Sequence, residues 1–443
     1  MQKIDLPDNV KQILAALKDA GYEGYVVGGC VRDSLLNRQP DDWDITTNAK
    51  PLQIKELFKR TVDTGIQHGT VTVLCGNDTY EVTTYRIDGE YEDNRHPKKV
   101  EFTADLIEDL KRRDFTINAM AYNDTEGLID EFDGIGDLNA GIIRCVGDPR
   151  ERFNEDALRI MRAVRFSAQL GYAIEKKTLS AIKELSPNLR NISAERINTE
   201  LTKLIVSPNP GHIRIMYETG ICDIILPELS EVMNLEQNNP HHCYSVGEHI
   251  IKSVEAIEPD RALRYAMLFH DLGKKDTRTT DEEGIDHFRG HVQLSAQMAV
   301  DIAHRLKFDN ATISKVKKLV AYHDVKIELR PKYVRRMMNR LGSDDFADLL
   351  KVKQADMEAQ SDYKRKEKQR EIDELKTLYE QIIKDGDCVK TSDLAINGKD
   401  LIDMGVNQGP EIGSILNRLL EKVMDDPALN TKEKLTELLD EIL

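Results

Sequence analysis

The chain has 443 residues, a formal net charge of −16 and 40% hydrophobic residues, more than one core can organise, so several domains are expected. The acidic balance excludes a protein that coats nucleic acid by bulk charge, though not a local basic track on an acidic body. No apolar run is long enough to span a bilayer, the N-terminus MQKIDLPDNV lacks a signal-peptide core, and the six cysteines form no C-x-x-C pair. A cytoplasmic chain with free thiols and no membrane contact is therefore expected.

In chain order, residues 1–20 place Val10, Ile13, Leu14 and Leu17 on one stripe and predict a helix. The stretch Gly21–Ala49 then carries the densest signal. An apolar strand, Tyr25-Val26-Val27, runs into Gly28-Gly29, where backbone amides can approach a polyphosphate. Cys30–Leu36 reads as the following helix, with Arg32 in reach of a phosphate. Asp42-Trp43-Asp44-Ile45-Thr46 reads as a strand that presents Asp42 and Asp44 on one face and turns Trp43 and Ile45 inward. Two hard carboxylates beside a phosphate cradle suit Mg²⁺ shared with substrate phosphates.

Pro51–Arg60 predicts a short helix, and Gly69–Cys75 with Tyr80–Arg86 predicts a hairpin around Gly76-Asn77-Asp78. Glu81 opens the second strand and is a candidate third carboxylate, as metal neighbour or orienting partner. Ile87–Pro97 is polar and reads as a loop beside the site. Asp133–Arg144 reads as a hinge and edge strand, and Ile192–Ile205 as an amphipathic helix. Arg152–Tyr172 reads as one helix, on which Asp156 and Arg159 at i and i+3 share a face. Eight of the eleven histidines fall between His241 and His323, a concentration that points to a second site. Lys326–Arg340 and Lys364–Arg370 are locally basic, and the chain reads as helical from Pro331 onward. Tyr363–Asp385 carries Ile372, Leu375, Tyr379, Ile382 and Ile383 on one stripe.

The order strand, GG, VRD and D-x-D closely resembles the class II tRNA nucleotidyltransferase and bacterial poly(A) polymerase family. The resemblance continues through LKRRDFTINAMAY at Leu110–Tyr122 and E-D-x-x-R from Glu155 to Arg159, and covers nearly the whole chain. It implies an α+β protein: an N-terminal nucleotidyltransferase α/β head (residues 1–150), followed by an all-α neck (151–235), HD region (236–330) and tail (331–443). It implies catalysis at Asp42, Asp44 and Glu81, with Asp42 and Asp44 holding Mg²⁺. It implies nucleotide binding by Gly28, Gly29, Arg32, Arg113, Asp114, Asn118, Asp156, Arg159, Arg162 and Arg165. Arg113 offers a forked phosphate contact, while Asp114 and Asn118 suit ribose hydroxyls, the alternative being a capping Asp114 and an exposed Asn118. Asp156 would accept from the exocyclic amine of C or A, and Arg159 would donate to the neighbouring ring nitrogen. Ser193 and Arg196 match a motif that supports the base-selecting helix. Ile87–Pro97 corresponds to the loop that fits ATP, and Gly398–Leu420 to a segment that contacts tRNA.

The implied reaction is attack of a tRNA 3′-hydroxyl, on the acceptor arm, at the α-phosphate of CTP or ATP. A poly(A) polymerase or A-adding enzyme is the alternative with the same head. His249, His270, Asp271 and Asp324 have the order of an HD-type metal phosphohydrolase that would bind a divalent metal, with His287, His291 and His323 in reserve. That domain is either hydrolytic or a structural core, and an HD phosphohydrolase with a nucleotide-binding head is the alternative of another class.

Overall fold

The computed structural model describes residues 3–89 and 100–442, which divide into two compact units, Met1–Pro227 and Glu228–Leu443. In the first unit, α1 (Asp8–Asp19) buries Val10, Ile13 and Leu17, the expected stripe, and leads to β1 (Gly24–Val27), buried at every position. There follow α2 (Gly29–Leu35), β2 (Ile45–Thr47), α3 (Pro51–Leu57), β3 (Thr61–Gly65), β4 (Thr70–Cys75) and β5 (Asp78–Thr84). Next come β6 (Arg86–Asp88), β7 (Val100–Phe102), α4 (Leu106–Lys111), β8 (Ala121–Asn123) and β9 (Gly127–Ile129). Seven of these strands form one sheet in the order β3-β4-β5-β2-β1-β8-β9, with β2 and β5 parallel and the other neighbours antiparallel. β1 is interior, which explains its unbroken apolar run. The β4–β5 hairpin closes through Gly76 and Asn77, and Gly76 at φ 65° takes the position that a primed two-residue turn reserves for glycine. Residues 90–97 of the expected Ile87–Pro97 loop lie outside the described residues.

The rest of the first unit is mainly helical: α5 (Gly134–Ala140), β10 (Ile142–Ile143), α6 (Pro149–Glu155), α7 (Leu158–Leu170), β11 (Ala173–Ile174), α8 (Lys176–Leu185), α9 (Ala194–Ile205), α10 (Ile213–Glu218) and α11 (Cys222–Ile225). Three expectations change here. Asp42 and Asp44 precede β2 rather than lying on it. The ladder is nevertheless extended by the Val27 amide donating to the Asp44 carbonyl at 3.0 Å, so both acids stay exposed while Ile45 is buried. Asp133–Arg144 is a helix followed by a two-residue strand that pairs in parallel with β11, not an edge of the main sheet. Arg152–Tyr172 is two helices: Asp156, extended at φ −135° and ψ 104°, breaks the chain between α6 and α7.

After α12 (Pro227–Val232), which crosses the division, the second unit contains α13 (Val246–Ala256), α14 (Arg261–Phe269), α15 (Lys274–Thr277), a small hairpin of β12 (Thr279–Thr280) and β13 (Asp286–His287), α16 (His291–Arg305) and α17 (Asn310–Tyr322). It continues with α18 (Pro331–Leu341), α19 (Ser343–Glu358), α20 (Arg365–Asp385), α21 (Gly398–Asp403), α22 (Pro410–Asp425) and α23 (Lys432–Ile442). On α20 the buried positions are Leu375 and Ile382, whereas Ile383, expected on the same stripe, is 50% exposed. A C-terminal core gathers Leu401, Leu419, Val423 and Leu435.

Candidate functional site

β1 delivers the chain to Gly28, whose φ of 82° is open to glycine and strained for other residues. A Cβ there would stand 3.0 Å from Nη1 of Arg113, so the missing side chain is what lets that guanidinium lie on the turn. Across the sheet, Ile45 pairs with Val82 in the parallel β2–β5 ladder. The residues just before them, Asp44 and Glu81, therefore stand side by side, and Asp42 lies two residues back on the same face. Their electrostatics agree with this placement. Loss of solvent raises the Asp44 carboxyl, Arg113 opposes the rise and Asp42 adds to it. Glu81 is raised by partial burial, then by Asp44 and Asp42. Asp42, Asp44 and Glu81 thus lie near enough to repel one another, and are the residues of the head that could hold a divalent cation.

Arg113 and Arg112 are aimed by Asp109, a fully buried carboxylate that the sequence reading passed over. It accepts from Arg112 at 2.8 and 2.9 Å, from Thr46 Oγ1 at 3.2 Å and from the Arg86 amide at 3.2 Å, with Arg113 Nη2 3.6 Å away. Nε of Arg113 is buried without a hydrogen-bond partner among the described residues. A buried unpaired donor is costly, and an incoming phosphate oxygen would satisfy it.

From Gly29 inward a continuous line of polar contacts joins three motifs. Arg32 grips Asp33 and donates to Asn118 Oδ1 at 2.7 Å. Asn118 donates to Asp114 Oδ1 at 3.2 Å, and Arg162 donates to Asp114 Oδ2 at 2.7 Å. Burial alone would raise Asp114, but Arg162 and Arg159 bring its pKa down to about 2. Asn118 is buried rather than exposed, so the alternative of a capping Asp114 beside a solvated Asn118 is set aside. Phe166, also unremarked in the sequence, is the common floor. Arg32, Arg162 and Arg165 lie 5.0, 5.3 and 3.8 Å from its ring centre.

The break at Asp156 changes how the acid and arginine are held. Asp156 Oδ1 accepts from the Leu158 amide at 3.0 Å, and Oδ2 from Arg196 Nη2 at 2.9 Å. Arg159 pairs instead with Glu155 at 2.7 Å and donates to the Arg112 carbonyl at 2.7 Å. The two are thus not partners across one helical face. Each is positioned separately, Asp156 by α9 and Arg159 by α6 and the end of α4. Arg165 shares the Phe166 ring with Arg32 and Arg162 but spends its hydrogen bonds elsewhere. It is buried, bonded to Glu200 of α9 and to Gln169, and so ties α7 to α9.

The second unit holds a cavity of about 460 Å³. Asp271, His291 and His323 line it, and with His249 on α13 and His270 at the end of α14 they make two ligand groups that share Asp271, His291 standing at the start of α16 and His323 after α17. Asp356 on α19, absent from the sequence reading, places Oδ1 3.0 Å from His249 Nε2 and 3.6 Å from His270 Nε2. Asp324, expected as a ligand, lines the cavity with an exposed side chain and belongs to neither group. His287 pairs with Asp281 at 2.7 Å instead of joining the cluster. Burial works against charging His270, but Asp271 and Asp356 raise it to about 10. His323, buried and facing His270, falls to about 3.

Known proteins share this architecture. Residues 24–144 match the Poly A polymerase head domain, residues 171–233 the probable RNA and SrmB-binding site of polymerase A, and residues 276–439 the putative tRNA nucleotidyltransferase domain 2. The CCA-adding enzyme of Ligilactobacillus salivarius is 35% identical over 98% of this chain and 96% of its own, and that of Lactobacillus helveticus is 36% identical over the whole of both. The CCA-adding enzyme of Enterococcus faecalis reaches 49% over 52% of this chain and 58% of its own. Among solved structures, the Bacillus stearothermophilus CCA-adding enzyme in complex with CTP superposes with a TM-score of 0.74 at 28% identity, covering 98% of each chain. The Thermotoga maritima enzyme complexed with tRNA shares the fold, with a TM-score of 0.60 at 23% identity over 98% of this chain and 95% of its own.

Proposed function

The chain belongs to the CCA-adding enzyme family, and from that premise we propose that it adds C, C and A in turn to the 3′ end of tRNA, from CTP and ATP, without a nucleic-acid template. In each step the terminal 3′-hydroxyl attacks the α-phosphorus. The new P–O bond forms as the bond to the bridging oxygen breaks, pyrophosphate leaves, and the hydroxyl proton passes to solvent. Divalent-metal dependence is general for nucleotidyltransferases of this kind, and the finer assignment is Mg²⁺ on Asp42 and Asp44 with Glu81 beside them. When bound, Mg²⁺ supplies Lewis-acid stabilisation of the attacking and leaving oxygens. Gly28, Gly29, Arg32 and Arg113 receive the triphosphate, and Asp114 and Asn118 the ribose. Asp156 accepts from the exocyclic amine of cytosine or adenine and Arg159 donates to the adjacent ring nitrogen. Uracil and guanine present a carbonyl there, which would leave Asp156 facing another acceptor. Arg162 acts by holding Asp114.

The observation that carries these roles is the convergence of Asp42, Asp44 and Glu81 on the sheet end where Arg113, with an unpaired Nε, lies against Gly28. The test is a tRNA transcript ending at the discriminator base. CTP alone should extend it by C only, and CTP with ATP should complete CCA, whereas extension by ATP alone would favour a poly(A) polymerase or an A-adding enzyme. Asp42→Ala should abolish incorporation, and untouched incorporation would overturn the metal assignment.

A second reading concerns the cavity of the second unit, as an HD-type site that uses a divalent metal to hydrolyse phosphate esters. Water adds at phosphorus, the P–O bond to the alcohol breaks, and the alcohol takes the proton. The tautomers favour it: Nδ1 of His249, His270, His291 and His323 each face a backbone carbonyl, at 3.1, 2.7, 2.7 and 2.7 Å. A carbonyl only accepts, so each Nδ1 carries a proton and Nε2 is the ring atom turned inward, available to a metal once any Nε2 proton is displaced. Head, neck, HD and tail regions at 1–150, 151–235, 236–330 and 331–443 remain the functional division. No described helix is long and apolar enough to cross a membrane, and the cytoplasm is where the enzyme would meet its tRNA.

A further inference from the structure

We propose that Phe166 is a positioning residue for the incoming nucleotide: the face of its ring holds the Arg32 guanidinium beside the Gly28-Gly29 turn, where the triphosphate is received. This rests on the nucleotidyl-transfer reading of the head and adds to it an apolar residue. Phe166 lies on α7 and is 5% exposed, whereas Arg32 lies far away along the chain, on α2. The Arg32 guanidinium is nonetheless 5.0 Å from the centre of the Phe166 ring, within the roughly 6 Å over which the negative face of a ring attracts a cation. Its Nη2 stands 3.8 Å from the place that a Cβ on Gly29 would occupy, so the charge is already at the turn. The hydrogen bonds of Arg32 go to Asp33, the next residue on the same helix, and to Asn118. Asp33 moves with it, so the orientation of the guanidinium is set by Asn118 and Phe166.

The ring is itself held in place. Phe115 meets it edge to face, with centres 5.8 Å apart and planes at 81°. The Phe115 amide donates to Asp114 Oδ1 at 2.8 Å, which joins the ring to the acid assigned to the ribose. Arg162, four residues earlier on the same face of α7, and Arg165 lie 5.3 and 3.8 Å from the same ring centre. Three like charges repel one another. Burial holds the Arg165 guanidinium below its usual range, Glu200 opposes that and Arg162 adds to it. A π face attracts all three cations without carrying a net negative charge. A carboxylate in its place would gather the same arginines but repel the phosphates they are to receive. An aromatic ring is therefore the partner that keeps the cluster together and still open to an anion.

The test replaces Phe166 in the full-length chain by singly, doubly and triply fluorinated phenylalanine. Fluorine draws electron density from the π face and leaves the shape of the ring nearly unchanged, so packing is kept while the attraction for cations falls stepwise. The Kd of CTP and of ATP, read by calorimetric titration without tRNA, should rise with each fluorine and reach about tenfold in the triply fluorinated chain. The ratio of the two Kd values should stay constant, because the triphosphate is common to both nucleotides. Phe166→Leu, which removes the π face outright, should weaken binding at least as much. Kd values that stay flat across the fluorinated series, whatever the Tm does, would make the ring a packing element and overturn the proposal. A rise confined to one nucleotide would place the effect at the base-selecting pair and overturn it as well. Incorporation of C and A is scored separately: a chain that shows the graded binding but incorporates neither would overturn the CCA reading and leave the role of Phe166 standing. A native chain that binds neither nucleotide would overturn both.

Discussion

At the residue scale, the head concentrates opposed charges so that each acid has one function. Glu81 is raised first by partial burial and then by Asp44 and Asp42, which means that its charge is destabilising until a cation arrives. Glu81→Gln should therefore leave thermal stability unchanged or raise the Tm by about 1–2 °C, while nucleotide incorporation falls at least about tenfold. A lower Tm with full activity would make it an ordinary strand residue. Asp114 has the reverse character, held at about 2 by Arg162 and Arg159 in spite of burial. A depressed carboxylate stabilises the fold above its unfolded pKa, near 4, and loses that contribution as pH falls through its folded value. The gap in stability between the native chain and Asp114→Asn, about 2 kcal/mol from this linkage, should stay flat from pH 8 to about pH 5. It should close between about pH 4 and pH 2, as measured by urea denaturation.

At the element scale, the decisive feature is the break between α6 and α7. A continuous helix would have paired Asp156 with Arg159 and neutralised both. The break turns Asp156 toward Arg196 on α9 and leaves its carboxylate oriented through a neighbouring element. Arg196→Ala should release that carboxylate. KM for CTP and ATP should rise about tenfold, a loss of about 1.4 kcal/mol, and UTP misincorporation should increase, while Arg196→Lys recovers only part of the effect. Unchanged KM values and fidelity would reduce Arg196 to packing. Arg165, in contrast, is spent on Glu200 and Gln169 and sets the contact of α7 with α9.

At the scale of the whole molecule, the two compact units offer two different sets of candidate ligands. The head offers carboxylates, hard ligands that suit a metal exchanged with each nucleotide. The second unit offers buried imidazoles, which suit a resident ion. Asp271→Ala should therefore leave CCA addition within about twofold of the native rate while removing hydrolysis of p-nitrophenyl phosphate. Loss of both activities together, with the fold intact by circular dichroism, would contradict this division. The net charge of −16 repels tRNA at long range, so binding must rest on local cations and should weaken as salt is raised.

What the sequence determined alone was the set of short-range patterns. The apolar run into Gly28-Gly29, the acid alternation from Asp42 to Ile45 and the hairpin at Gly76-Asn77 each depend on neighbours a few residues away. Asp109, Phe166 and Asp356 were not legible, because an aspartate or phenylalanine inside a helical stretch looks the same whether it packs, caps or aims another side chain. Their roles arise from partners far along the chain, Thr46 for Asp109, Arg32 for Phe166 and His249 for Asp356. The approach of Asp356 to His249, and the pairing of Asp156 with Arg196 in place of Arg159, were likewise made by tertiary packing. Spacing along a helix says which side chains share a face, but only the elements packed against that face decide what each charge meets.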